Sequence, residues 1–339
     1  MHFRKVGNWP LEVSEIALGT GDTAGGIIYG STKEQRALVE NALDLGVNLF
    51  DCSPDYGKGM GEGNLGRVLK ELGPVDAKII TKVEIMPEDF GRIREKIEES
   101  INDSLLRLQR DHVDVLMLHN PVRLVRDAGI RVWMRLTPAD VMEQVLPALQ
   151  DVRSAGKTRF LGLACESSEA AAVRPLLETR EFAIINAWYN LANPTASVPI
   201  KGFDQQHDYQ GLFDLADMFG AGIAVIRPLA GGALTDAFLK NGREARHELS
   251  RGYYRENPEL LEPEIDRARR FDFLRHGGER TLSEAAYRYI FSDPRVSTII
   301  GGFSDIGQMK DAATASDKGP LDAADAGRVA EIHRAGFRG

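Results

Sequence analysis

The chain has 339 residues, 43% of them hydrophobic and 27% charged, with a formal net charge of −8. That balance is globular rather than disordered, and its negative sign argues against a nucleic-acid partner, which needs a basic face. No apolar run is long enough to span a bilayer, MHFRKVGNWPLEVSEIALGT lacks a secretory apolar stretch, and Cys52 and Cys165 form neither a disulfide framework nor a metal spacing. The expectation is a single domain over residues 1–339 that is cytoplasmic, binds small molecules, and has no membrane or metal partner.

The opening FRKVGNWPLEVSEIALG sets a Gly-Asn turn between two apolar pieces, which predicts a β-hairpin plugging a barrel bottom before a first barrel strand at 16–18. Gly19, Gly21, Gly25 and Gly26 form a loop, and Ser31 caps a helix over 33–45. VNLFDCSPDY reads as the second strand, apolar without a break, ending in Asp51 and a Ser-Pro turn that delivers Tyr56. GKGMGEGNLGRVLKELG gives a glycine-rich loop and a helix. AKIITK is the third strand, ending in Lys82; an amphipathic helix over 89–110 follows, and HVDVLMLH is the fourth strand, ending in His119.

A long arginine-bearing loop, NPVRLVRDAGIRVWMRLT, precedes a helix opened by Pro138 and Asp140. KTRFLGLAC is the fifth strand, 169–179 a helix, and FAIINAWYN the sixth strand. The irregular LANPTASVPIKGFDQQHD leads to a helix over 211–219 and the seventh strand, GIAVIRPL. Residues 234–278 are polar and show no clear period. TLSEAAYRYIFSDP is a helix, VSTIIGG the eighth strand, and closing helices lie within 305–310 and 321–335. Eight strands alternating with helices predict an α/β fold, a (β/α)8 TIM barrel with long loops after its fourth, sixth and seventh strands.

In such a barrel every strand C-terminus opens on one face, so Asp51, Tyr56, Lys82 and His119 should converge there. A phenol, with a reference pKa of about 10, becomes a useful proton donor when an ammonium favours its anion. Lys82 is expected to lower the pKa of Tyr56, Asp51 to hold Lys82, and His119 to bond the substrate oxygen. No side chain supplies a hydride, so carbonyl chemistry on this set requires a cofactor such as a nicotinamide nucleotide.

These residues sit in VSEIALGTG, LGVNLFDCSPDYGKGMGEGNLGRVLK, IITK, VDVLMLHN, GKTRFLGLA, VIRPLAGGAL and SEAAYRYIFSDPRVSTIIGG, an ordered set that resembles the aldo-keto reductases. The YGKGMGE loop is most similar to the branch of NAD-dependent aldose and galactose dehydrogenases. The resemblance implies a catalytic tetrad at Asp51, Tyr56, Lys82 and His119, and a reaction that interconverts a carbonyl and an alcohol with NADP or NAD. It implies cofactor contacts at Gly19, Thr20, Gly21 and Asp51, at Ala164 and Cys165 where Ser-Asn is usual, and at Asn186 where glutamine is usual. Further contacts are implied at Ile226 in place of a stacking aromatic, at Arg227, Pro228 and Leu229, and at Gly301, Gly302, Phe303, Gln308 and Asp311. Phe303 stands where an arginine often binds the 2′-phosphate of NADP, which points to NAD. The turn and helix N-terminus over 301–311 should receive the adenosine end, with Arg227 as a phosphate contact. A nucleotide-binding regulatory or scaffold subunit is the alternative, since some members act with ion channels. With no long tail to close the mouth, a second copy in a homo-oligomer could cover it.

Some residues carry both a plain and a sharper reading. Trp133 and Trp188 are read as substrate-pocket walls or as loop and core anchors. Arg123, Arg126, Arg131 and Arg135 are solvated charge or, more sharply, a hook for an anionic substrate. Both cysteines read as small buried hydrophobes, and the histidines other than His119 as structural or surface groups.

Overall fold

In this computed structural model residues 1–22, 25–126, 134–203, 208–241 and 258–338 are described. Strands β1 (Phe3–Lys5) and β2 (Glu12–Ser14) pair antiparallel as the expected hairpin. Val6, Leu11 and Val13 of this hairpin share one apolar cluster with the barrel residues Ala17, Leu49, Ile80, Val115 and Phe160, so it forms the barrel floor. Trp9 meets Phe160 edge-on at 5.8 Å. Arg4 donates to the carbonyls of Phe291, Asp293 and Val296 at 3.1, 3.3 and 3.0 Å, which ties the hairpin to the far end of the chain.

Strands β3 (Ile16–Gly19), β4 (Leu49–Asp51), β5 (Lys78–Val83), β6 (Val113–Leu118), β7 (Thr158–Ala164), β8 (Phe182–Trp188), β9 (Gly222–Ile226) and β10 (Val296–Gly302) pair in parallel. The last returns to the first, giving a closed barrel. Neighbouring strand residues face opposite ways: Ile80 joins the interior cluster, whereas Ile79 packs outward beneath the helices. The helices are α1 (Gly26–Tyr29), α2 (Thr32–Asp44), α3 (Met60–Leu72), α4 (Ile93–Leu108), α5 (Pro138–Asp140), α6 (Leu146–Ser154), α7 (Ala170–Glu178) and α8 (Leu212–Phe219). They continue with α9 (Asp236–Asn241), α10 (Pro258–Arg269), α11 (Leu282–Phe291), α12 (Ile306–Lys318) and α13 (Ala323–Arg334). Ser31 caps α2 in a reciprocal capping box with Glu34. Between α5 and α6 the helix widens into a π-turn over Val141–Val145, because Pro147 has no N–H to keep the ordinary ladder.

Three expectations are corrected. The stretch 234–278 contains α9, α10 and a 3-10 segment at Asp272–Gly278. It is anchored by the buried Ile265, Ala268, Phe271 and Leu274, too sparse among charges to show a period. The helix expected within 305–310 runs on to Lys318; its buried face is mostly alanine, a weak hydrophobic signal. The glycine loop carries a short helical turn, α1. Among the described residues no helix is long and apolar enough to cross a membrane.

Candidate active site

The registers Asp51↔Ile80 and Lys82↔Met117 set the ends of β4, β5 and β6 side by side at one mouth. Lys82 is 1% exposed, and its Nζ donates to Asp51 Oδ1 at 2.7 Å and to the Cys52 carbonyl at 2.8 Å. The same Nζ stands 4.7 Å from the Tyr56 ring centroid. The His119 ring meets Tyr56 edge-on at 6.2 Å. The structure thus brings all four expected residues together. Tyr56 is held by a turn that only glycine permits: Gly57 has φ +58°, and a Cβ there would lie 2.7 Å from Ile28 Cγ2.

Burial works against the Lys82 ammonium, but the charge of Asp51, supported by Tyr56, more than offsets it and lifts the pKa above the ordinary lysine value. Lys82 acts on the Tyr56 phenol in the expected, lowering direction. Burial raises its phenol more than the Lys82 ammonium lowers it, so the net direction is upward and the hydroxyl keeps its proton. His119 is shifted down, by burial first, with its hydrogen bond to Asp55 opposing. Burial pushes the thiols of Cys52 and Cys165 up, which fits their plain reading as hydrophobes.

At the expected cofactor wall, Gly19 ends β3 and Thr20 donates its N–H to the Asp51 carbonyl at 2.9 Å. Thr20 Oγ1 is buried without a hydrogen-bond partner, and Gly21 lies over the Tyr56 ring, to which an added Cβ would come within 3.7 Å. Asn186 accepts the Cys165 N–H on Oδ1 at 3.0 Å, which leaves its NH2 group for a ligand. Ala164 and Cys165 are buried and offer no side-chain replacement for a Ser-Asn pair. An unpaired hydroxyl and an amide NH2 at the mouth fit an amide-bearing ring such as nicotinamide.

Around β8 to β10 the placement is less open than expected. Trp188 is 2% exposed, and the Arg227 guanidinium lies 4.1 Å from its ring centroid, so this tryptophan is covered rather than a free pocket wall. Arg227 also pairs with Glu264 of α10 at 3.3 Å. Ile226 is partly buried at the end of β9, followed by Pro228 and Leu229. Phe303 is 2% exposed and packs its ring against Gly301, where an added Cβ would come within 2.3 Å of it. Exposed Gly302 ends β10, Asp305 caps α12 through Gln308 N at 3.0 Å, and Gln308 Oε1 accepts from Ser304 N at 3.1 Å. Asp311 is exposed on α12, its carboxyl raised by burial first and then by Asp305 and Glu284.

Trp133 and Arg131 lie outside the described residues. Arg123 makes a two-pronged pair with Glu169, 3.0 and 2.8 Å, and Arg126 binds Asp140 over the Phe90 ring, so both tie the loop down. Arg135 feels the charge of Glu169. Sequence reasoning missed Asp55, Glu84 and Glu166. Asp55 bonds His119 at 3.1 Å, Glu84 faces Asp55, and Glu166 faces Arg227 and Trp188 with its carboxyl raised by burial. The available signal was position: Asp55 precedes Tyr56, Glu84 lies two residues beyond Lys82, and Glu166 follows Cys165. No His, Cys, Asp and Glu cluster suited to a metal occurs among the described residues.

A closed parallel barrel with a tyrosine, a buried lysine–aspartate pair and a histidine at its C-terminal mouth defines the architecture of a barrel oxidoreductase. Residues 15–334 match the Aldo/keto reductase family, and the chain belongs to that family of oxidoreductases. It is 30% identical over 314 residues to a Schizosaccharomyces pombe protein named as a voltage-gated potassium channel subunit beta, covering 89% of this chain and 84% of the relative. L-galactose dehydrogenase of Arabidopsis thaliana is 35% identical over 168 residues, 48% of each chain. The holo form of an aldo-keto reductase from Bacillus halodurans superposes with a TM-score of 0.71 at 23% identity, over 99% of this chain and 97% of that one, a likeness of fold.

Proposed function

We propose that this protein interconverts a carbonyl compound, an aldehyde, ketone or sugar, and the corresponding alcohol with a nicotinamide nucleotide. The observation that carries the reading is the Lys82 ammonium, fixed by Asp51 at 2.7 Å and set 4.7 Å from the Tyr56 ring. Bound at the mouth, the cofactor supplies or accepts the hydride. Tyr56, protonated by virtue of its burial, gives its proton to the carbonyl oxygen, and Lys82 stabilises the phenolate left behind. His119 aligns that oxygen. In oxidation the phenolate takes the alcohol proton. Thr20 and Asn186 would hold the cofactor's carboxamide, with Gly19–Gly21 and Ile226–Leu229 as the neighbouring strand ends.

NAD is the favoured nucleotide. Phe303 stands where an arginine would meet an additional phosphate, and the N-cap of α12 is itself a carboxylate, Asp305, which opposes one. A sugar substrate is supported by the likeness to L-galactose dehydrogenase. Tyr56→Phe should lower kcat by at least about 100-fold while the cofactor Kd stays within about twofold. Unchanged turnover would refute the assignment. Comparing kcat/KM with NADH and NADPH tests the nucleotide; a large NADPH advantage would overturn the argument from Phe303 and Asp305.

A second reading, a nucleotide-binding regulatory subunit, is favoured by the likeness to the channel subunit beta. Single-turnover oxidation of bound reduced cofactor by a panel of aldehydes and sugars separates the two. Steady turnover supports the enzyme, and oxidation too slow to cycle supports the regulator.

A further inference from the structure

His119 leaves β6 with Nδ1 3.1 Å from Asp55 Oδ2. A carboxylate only accepts, so Nδ1 carries the hydrogen, and in the neutral ring Nε2 is an acceptor. Asp55 Oδ2 also accepts from Ser53 Oγ at 3.3 Å, and Asp55 meets Glu84 carboxyl to carboxyl. Glu84 Oε1 is buried with no donor reaching it. Two touching carboxyls do not both ionise readily; one proton between them is the stable arrangement.

The geometry points to Asp55 and Glu84 as positioning residues for His119, a pair that shares one proton, holds the imidazole with hydrogen on Nδ1, and balances the ring's charge when Nε2 gains a proton and turns toward a carbonyl oxygen as a donor. This rests on the tyrosine-centred reading above. Neither carboxyl needs to touch the substrate; both act through the ring.

The titration directions agree with the geometry. Burial would raise Asp55, but the hydrogen bond and charge of His119, with bonds from Glu84 and Ser53, leave it below the ordinary carboxylate value. Glu84 is pushed up to about 8 by burial and by the Asp55 charge, with Asp89 adding to the rise and Lys96 opposing it. At neutral pH the shared proton therefore resides on Glu84. As it leaves, a second negative charge arises behind His119, and the ring retains its own proton to higher pH. Lys82 opposes that retention and Asp51 assists it. The Asp55 side chain is 42% exposed, which gives the pair a route to solvent protons.

The test labels histidine nitrogen and follows the His119 ring by heteronuclear NMR, assigned with His119→Gln, beside the pH profile of kcat/KM for aldehyde reduction. Wild type should show the Nδ1–H tautomer at neutral pH. Asp55→Leu should convert it to Nε2–H, and Asp55→Asn should lower the ring pKa by about one unit, a tenfold change in the cationic population. Glu84→Gln should remove an inflection near pH 8 from the profile, and Asp55→Glu should restore the wild-type tautomer. An unchanged tautomer in Asp55→Leu, or an inflection that survives Glu84→Gln, overturns the inference. If wild type turns over no carbonyl, the tetrad reading fails, and the NMR arm still decides the carboxyl pair.

Discussion

Replacing Asp51 with leucine isolates the energetics of the Lys82 pair. Both side chains are buried, 1% and 5% exposed, and Lys82 would retain only the Cys52 carbonyl at 2.8 Å. Breaking one side of a buried ion pair costs about 3–5 kcal/mol, because the surviving charge is left without compensation. Converting Lys82 to methionine in the same chain removes that charge, and the double variant should regain all but about 1–3 kcal/mol, the loss at a carbonyl deprived of its donor. Between about pH 7 and 9 the wild-type contribution of this pair should be flat, and that of the variant should slope upward. In wild type the Lys82 pKa is raised above its unfolded value, so its contribution is complete at neutral pH and is lost only as pH climbs through the folded value. In Asp51→Leu the largest influence, burial, acts unopposed by a carboxylate and depresses that pKa. The unfolded chain then binds more protons, and stability should rise between about pH 7 and 9. Urea unfolding across that range, kept below tyrosine titration, gives both quantities. A loss under about 1 kcal/mol, or a flat slope in Asp51→Leu, would refute the reasoning.

Gly57→Ala should cost about 1–3 kcal/mol and displace Tyr56, since the backbone there has φ +58° and Ile28 stands 2.7 Å from the new Cβ. Gly63→Ala, on α3 with nothing within 4 Å, should be neutral or stabilising by up to about 1 kcal/mol, and thermal unfolding compares the two. His333, driven down to about 4 by burial while its Nε2–H donates to the Leu191 carbonyl at 2.8 Å, stays neutral as the unfolded chain charges. Stability should therefore fall by about 3 kcal/mol as pH drops from about 6.5 toward 4, and His333→Phe should flatten that slope in acid unfolding curves.

Much of the barrel was legible because its strands are continuous apolar runs closed by glycine and proline, and because β10 coincides with VSTIIGG. The four mouth residues were legible for a related reason: each sits at or just beyond a strand end, where a polar residue interrupts buried sequence. Phe303 was not, since nothing local tells whether an aromatic after a double glycine faces a ligand or folds back on Gly301. The partners of Arg227, Trp188 and Glu264, were not legible because they are 39 and 37 residues away in the chain and meet it through the pairing of β8 with β9 and the packing of α10. The direction of the Tyr56 shift depends on competition between burial and a neighbouring cation, and sequence order fixes the neighbour without fixing the burial.

The hairpin beneath the barrel has a consequence for assembly. Its Arg4 grips the carbonyls of Phe291, Asp293 and Val296, nearly three hundred positions later in the chain. During translation the early segment must wait, its apolar side uncovered, until the final strand emerges and the ring can shut. A nascent chain of this kind stays vulnerable until that strand arrives, and a chaperone that shields the hairpin would matter more than one acting on the finished body.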